Sequence, residues 1–242
     1  MKESEWLSCG DPVPMLRHIR GMASDRKLRL YACACCRRIW DQLDFAEGRY
    51  VEPCRKAIEA AEQYADGEID AEELAHFTDD PQFVYAAPEA FIAAVSVPLD
   101  PSAVVTAAAD AATCEQEENA YRKAFPEEYP SFDKEKWRFA TQGRLDSAES
   151  AEKQAQCRLL RDVIGNPFRP VQMDLAELSN HDDFIPKLAR TMYEQRVFAR
   201  LPVLADTLED TGCDNADVVR HCRELSEHVR GCWVIDLLLG KE

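Results

Sequence analysis

What this chain lacks excludes more than what it holds. No apolar run approaches the roughly 20 residues that cross a bilayer, and the opening Met1-Lys2-Glu3-Ser4-Glu5-Trp6 has no apolar core of the secretory kind. Glycine is scarce, 9 in 242 residues, and no P-loop, G-x-S-x-G elbow, G-x-G-x-x-G or H-E-x-x-H string occurs. No fixed-period repeat, low-complexity tract or long linker interrupts the sequence. These absences argue for a soluble, cytoplasmic protein with no membrane partner, and they leave no catalytic residue to name. A non-enzymatic role is therefore the expectation.

Basic charge is the next absence. The chain carries 45 acidic against 29 basic residues, a formal charge of −16. Between Lys56 and Arg122 there is no Lys or Arg at all, while 15 acids fall in that interval, from Glu59 to Glu118. Residues 1–40 run the other way, with 8 basic and 4 acidic side chains. A field of one sign over residues 57–121 disfavours nucleic acid and anionic membranes and favours a basic protein partner. Asp66, Glu68, Asp70, Glu72, Glu73, Asp79, Asp80, Glu115, Glu117 and Glu118 are the candidate docking residues. The alternative is that these acids are the solvated face of ordinary helices.

Helix signals dominate what is present. Ser24 reads as the N-cap of a helix over about 25–43, with Leu28, Tyr31, Ala32, Cys35, Cys36, Ile39 and Leu43 on one face. A second helix spans about 50–66 and stops at Gly67. Asp70 with Glu73 forms a capping-box pattern for a short helix through Phe77. Pro81, Pro88 and Pro98 break the following stretch into short pieces. Asp100-Pro101 opens an Ala-rich helix to about Phe125, and Ser131 caps a long one over 132–164 that ends at Gly165. Further helices are expected at 184–198, 202–211 and 216–225, the last capped by Asp214. The apolar run Cys232–Leu239 is expected as a buried helix, since nothing else supplies a strand for it to pair with. The fold expected is all-α, an irregular bundle of about nine or ten helices in a single domain. A possible subdivision at the prolines of 126–130 separates residues 1–126 from 131–242.

Ten cysteines without an export signal point to reduced thiols rather than a disulfide framework. In Cys33-Ala34-Cys35-Cys36, helix geometry aims Cys33 and Cys35 about 200° apart, so packing is favoured over metal. Near the other end, Cys213, His221, Cys222, His228 and Cys232 fall within 20 residues. Tetrahedral zinc accepts such mixtures, and Cys213, Cys222, His228 and Cys232 are the alternative reading, a structural-zinc or thiol-dependent protein. The competing reading has no cofactor: packed thiols, an exposed His221 and a locally bonded His228. The single E-x-x-H, Glu73 to His76, lacks the second pair a di-iron bundle needs.

Asp236 lies in the terminal apolar run, where a lone carboxylate is costly. Arg169, in the Pro-flanked loop beginning at Asn166, and Arg230 are its expected partners, and Trp233 is expected in the core.

Three blocks carry a resemblance: Arg26–Trp40; Leu159–Asp162 with Gly165–Pro170; and Leu201–Asp206 with His228–Trp233 and Gly240–Glu242. They resemble an uncharacterised helical protein family of planctomycete-type bacteria. The resemblance implies a bacterial cytosolic setting, has no established activity attached and transfers no catalytic residue.

Overall fold

The computed structural model describes residues 1–40, 51–79, 89–96, 98–109, 134–173 and 184–241. Its elements are α1 (Glu3–Ser8), α2 (Pro12–Ile19), α3 (Asp25–Arg38), α4 (Val51–Ala65), α5 (Ala71–Asp79), α6 (Glu89–Val95), α7 (101–109) and α8 (Lys134–Ile164). Then come α9 (Phe184–Gln195), a 3-10 turn at Phe198–Arg200, α10 (Leu201–Asp210), α11 (Ala216–Arg223) and α12 (Trp233–Leu239). No strand occurs among the described residues, and the fold is all-α.

Local chemistry sets most helix ends. Ser24 Oγ accepts from the Lys27 N–H. Asp70 Oδ1 accepts from the Glu72 and Glu73 amides while the Asp70 N–H donates to Glu73 Oε2, a complete capping box. Two helices were not anticipated: α1, of six residues, and α2, where Asp11 accepts from the Val13 amide and Pro12 follows. Asn215 rather than Asp214 caps α11, its Oδ1 accepting from Asp217 and Val218. α9 stops at Gln195 instead of Phe198, because Arg196 takes a left-handed φ of 55°. From there the Arg196 guanidinium pairs with Glu62 of α4. The expected cap at Ser131 and the prolines of 126–130 lie outside the described residues.

Two apolar clusters form the core. The first surrounds α3, whose residues 30–36 are all buried. Small side chains (Ala32, Cys33, Ala34, Cys35 and Cys36) let α4, α6 and α8 crowd this helix from several directions. The thiols behave as apolar filler. Cys36 Sγ reaches the Ala90 carbonyl at 3.3 Å, and burial pushes Cys54 up to about 11 and Cys157 up to about 12. The second cluster packs α9–α12 around Met192, Leu204, Leu208, Ile235 and Leu238. Cys157, Leu159, Leu160 and Val163 of α8 belong to the first cluster. Among the described residues, Ile164 is the last of α8 packed on the first cluster, and Val171 is the next residue packed on the second.

Buried ion pairs join the clusters. Asp66 accepts from Arg26 (2.9 Å), Arg230 (2.6 Å), Lys241 (3.3 Å) and the Tyr193 hydroxyl (2.7 Å). Asp236 meets Arg26 at 2.7 Å and Lys27 at 2.6 Å. The expected partners of Asp236 are thereby corrected. Arg230 serves Asp66, and Arg169 turns outward to Glu3 at 2.8 Å. α3 packs in the first cluster, and the two cations of its first turn, Arg26 and Lys27, reach across to Asp236.

Candidate metal centre

Where the two clusters meet, four side chains with ligand chemistry converge. Asp162 stands in the last turn of α8, one position from the apolar residues that face the first core. His221 stands in the last turn of α11, which Val218, Val219 and Cys222 fix against the second core. The chain then crosses His228 and Val229 to Gly231 and Cys232, the N-cap of α12.

Two glycines make the crossing possible. Gly231 has φ 93°, and a Cβ there would meet Leu30 at 3.0 Å. Gly165, at φ 74°, would set a Cβ 3.2 Å from the Trp233 ring. Only glycine allows both the left-handed turn and the close approach.

One ligand atom from each of Asp162, His221, His228 and Cys232 lies within 4.8 Å of all the others. His228 Nδ1 is 2.6 Å from Asp162 Oδ1, and His221 Nε2 is 3.0 Å from the same oxygen and 3.3 Å from Cys232 Sγ. Asp162 and Cys232 are buried, and the two imidazoles nearly so.

The surrounding bonds orient this set. The Val229 amide donates to Asp162 Oδ2 at 2.9 Å, leaving Oδ1 for the cluster. His228 Nε2 lies 3.2 Å from the Glu224 carbonyl, an acceptor only, so that nitrogen carries a proton. Nδ1 of the same ring then either shares a proton with Asp162 or offers its lone pair to an ion. Such outer bonds are how proteins fix the tautomer of a ligating histidine.

The electrostatics agree with the geometry. Burial by itself raises the Asp162 carboxyl, but hydrogen bonds from His221 and His228 outweigh it and hold the group below the usual range. Burial lowers His228, and Asp162 more than reverses that, so the ring is raised overall. Burial and the Asp162 charge push the Cys232 thiol well up, against the amides of Ile235 and Val234.

One oxygen, two nitrogens and one sulfur suit zinc and its tetrahedral relatives. Bonds of about 2.0–2.3 Å imply donor separations of roughly 3.3–3.7 Å, so an ion would spread the Asp162–His228 contact of 2.6 Å and draw in the widest pair, at up to 4.8 Å. Zinc with one carboxylate, one thiolate and two neutral imidazoles sums to zero, the charge a buried site tolerates best.

Of the four residues that spacing suggested, His228 and Cys232 are in the cluster. Cys213 and Cys222 are not. Cys222 follows His221 by one residue, about 100° round the helix, and points into the second core, where burial raises its thiol to about 12. Cys213 ends the turn after α10, its amide bonded to the Leu208 carbonyl. His221, expected to be exposed, is buried. Asp162 was missed, yet it had a signal: an acid in the last turn of a long helix opposes the helix dipole and calls for a cationic or metal partner.

The candidate docking acids divide. Asp66 is taken up inside, its side chain 1% exposed. Glu68 faces Arg230 at 3.3 Å, Asp70 and Glu73 close the capping box, and Glu72 is exposed beside them. Asp79 ends α5, with its side chain outside the described residues, as are Asp80, Glu115, Glu117 and Glu118. Asn166 and Arg169 both bond Glu3, fastening the Pro-flanked loop to α1. Trp233 packs on His221 with ring centroids 5.1 Å apart.

In comparisons with protein-family models, with curated proteins and with solved structures, none matches this chain. The functional reading rests on the residues themselves.

Proposed function

We propose that this is a metal-binding protein in which Asp162, His221, His228 and Cys232 hold one zinc-class divalent ion. The observation that carries the reading is the convergence of four ligand atoms of three chemical types within 4.8 Å. Two further bonds orient these ligands: His228 Nε2 donates to the Glu224 carbonyl, and Asp162 Oδ2 accepts from the Val229 amide. Four protein ligands make a closed site, the arrangement of structural rather than catalytic zinc. Its role is to clamp the end of α8 to the segment that carries α11 and α12.

Elemental analysis of protein purified without chelator should give about one zinc per chain, and cobalt substitution a tetrahedral, thiolate-ligated spectrum. Asp162→Ala and Cys232→Ser should each weaken zinc by more than about 100-fold, beyond the 10–100-fold that outer-shell partners cost. Cys213→Ser and Cys222→Ser should leave it unchanged. Metal-free protein that cannot be loaded, or equal losses in all four variants, refutes the site.

Docking of a basic partner is the second reading. It is favoured by the exposed Asp70, Glu72 and Glu73, which have no ion pair among the described residues. Affinity for an immobilised cationic peptide that does not fall with added salt removes it.

A further inference from the structure

A cleft of about 520 Å3 shares a wall with the metal centre. His221 and Trp233 form that wall, and Trp6 and Leu7 of α1 stand among the other lining residues. Its volume falls in the roughly 300–1,000 Å3 range of small-molecule sites.

The charges in the cleft mostly answer one another. Arg169 pairs with Glu3 at 2.8 Å and Arg220 with Asp217 at 2.5 Å. Glu224 places Oε2 at 3.9 Å from His221 Nδ1, an ion pair only when that ring is protonated.

Among the arginines of the cleft, Arg161 is the exception. Its Nε and Nη2 donate to the Trp6 carbonyl at 3.0 and 2.7 Å, and Nη2 also to the Cys9 carbonyl at 2.7 Å. It has no carboxylate partner among the described residues, and Nη1 makes no hydrogen bond to them. Burial lowers the pKa of the group, as expected of a half-buried cation without a counter-charge. The neutral carbonyls that hold the guanidinium fix its plane without balancing its charge. The carbonyls take Nε and Nη2, so Nη1 is left to offer a charge-assisted hydrogen bond to an oxyanion.

We propose that this cleft binds a small oxyanionic ligand, a carboxylate or a phosphate monoester. Its charged group lies on Arg161 and its apolar part along Leu7 and Trp233. Leu7 is 57% exposed although it belongs to the cleft lining, a position a ligand would cover. The proposal goes beyond the metal reading and does not depend on it.

Isothermal titration of the full chain as purified, at constant ionic strength, tests the cleft, with inorganic phosphate and with succinate as separate probes. The expected result is one saturable site per chain for at least one probe. Saturation by phosphate alone assigns phosphate esters, by succinate alone carboxylates, and by both the oxyanion in general. Arg161→Gln should weaken binding at least tenfold. Because Arg161 also caps α1, Leu7→Trp serves as a second variant: it narrows the cleft without touching the guanidinium and should cause a similar loss. Binding should persist in chelator-treated protein that remains folded. No saturation by either probe, binding undiminished in both variants, or binding that vanishes with the metal overturns the proposal. The last outcome would put the anion on the ion instead of on Arg161.

Discussion

At the scale of single residues, the proposed metal centre would exchange protons for an ion. Without metal, Asp162 favours the protonated form of His228, and burial favours Cys232 as a thiol. Zinc requires a bare Nδ1 and a thiolate, so each ion should displace the Cys232 proton and whatever proton His228 holds, and bind more tightly as pH rises. Calorimetry in buffers of different ionisation enthalpy measures the proton count; affinity flat between about pH 6 and 8 contradicts it. The metal-free stability has its own signature. The raised His228 contributes fully below its unfolded value of about 6.5, and this contribution is lost as pH rises through the higher folded value. The lowered Asp162 contributes above about 3.9, and its share is lost as pH falls through the lower folded value. The pair therefore supports the fold most between these limits. Urea midpoints of metal-free protein should decline on the alkaline side, and zinc should remove that decline.

At the scale of elements, the turns that deliver the ligands are the sensitive points. Gly231→Ala forces a side chain into a left-handed turn and against Leu30, and Gly165→Ala does the same against Trp233. Each should cost about 2–4 kcal/mol, the backbone penalty plus local repacking. Gly212→Ala shares the positive φ, 91°, but has open space around it, so only about 1 kcal/mol is expected. Equal urea-denaturation losses at all three positions would falsify the packing argument.

Much at this scale was legible in the sequence. Ser24, Gly67, Gly165 and the Asp70–Glu73 pair act within a few residues, and they mark the ends where the helices stop or start. α1 and α2 escaped because six to eight residues are too few to show a period, although Asp11 before Pro12 was a usable cap signal. The candidate site was half legible. His228 and Cys232 stand four residues apart and can be read together, whereas Asp162 arrives from 66 positions upstream of His228. Nothing local links an acid in α8 to a loop beyond α11.

At the scale of the molecule, the basic face of α3 explains where much of the acid goes. Arg26, Arg37 and Arg38 hold Asp66 in the turn after α4, Glu62 of α4 and Glu152 of α8. The sequence displays both charges but not their pairing, which is set by tertiary contact. Asp66 is lowered because Tyr193, Arg230 and Arg26 together outweigh the burial that would raise it. Its contribution is present above about pH 3.9 and lost as pH falls through the lower folded value. Asp66→Ala takes the shared carboxylate from two largely buried guanidinium groups, leaving Arg26 to Asp236 and Arg230 to the half-exposed Glu68, and should cost about 2–4 kcal/mol. Glu68→Ala, at a half-exposed carboxylate, should cost no more than about 1 kcal/mol. Thermal unfolding of the two variants side by side checks the contrast; similar losses would mean the network does not join the clusters.

The sulfur packed around α3 has one more consequence. Cys33, Cys35 and Cys36 are fully enclosed, whereas Cys9 and Cys213 reach the surface. An alkylating reagent therefore meets two classes of thiol, one marked at once and one marked only when the helices part. Each label on the inner class counts a transient opening, and the molecule carries its own clock of how often its heart comes apart.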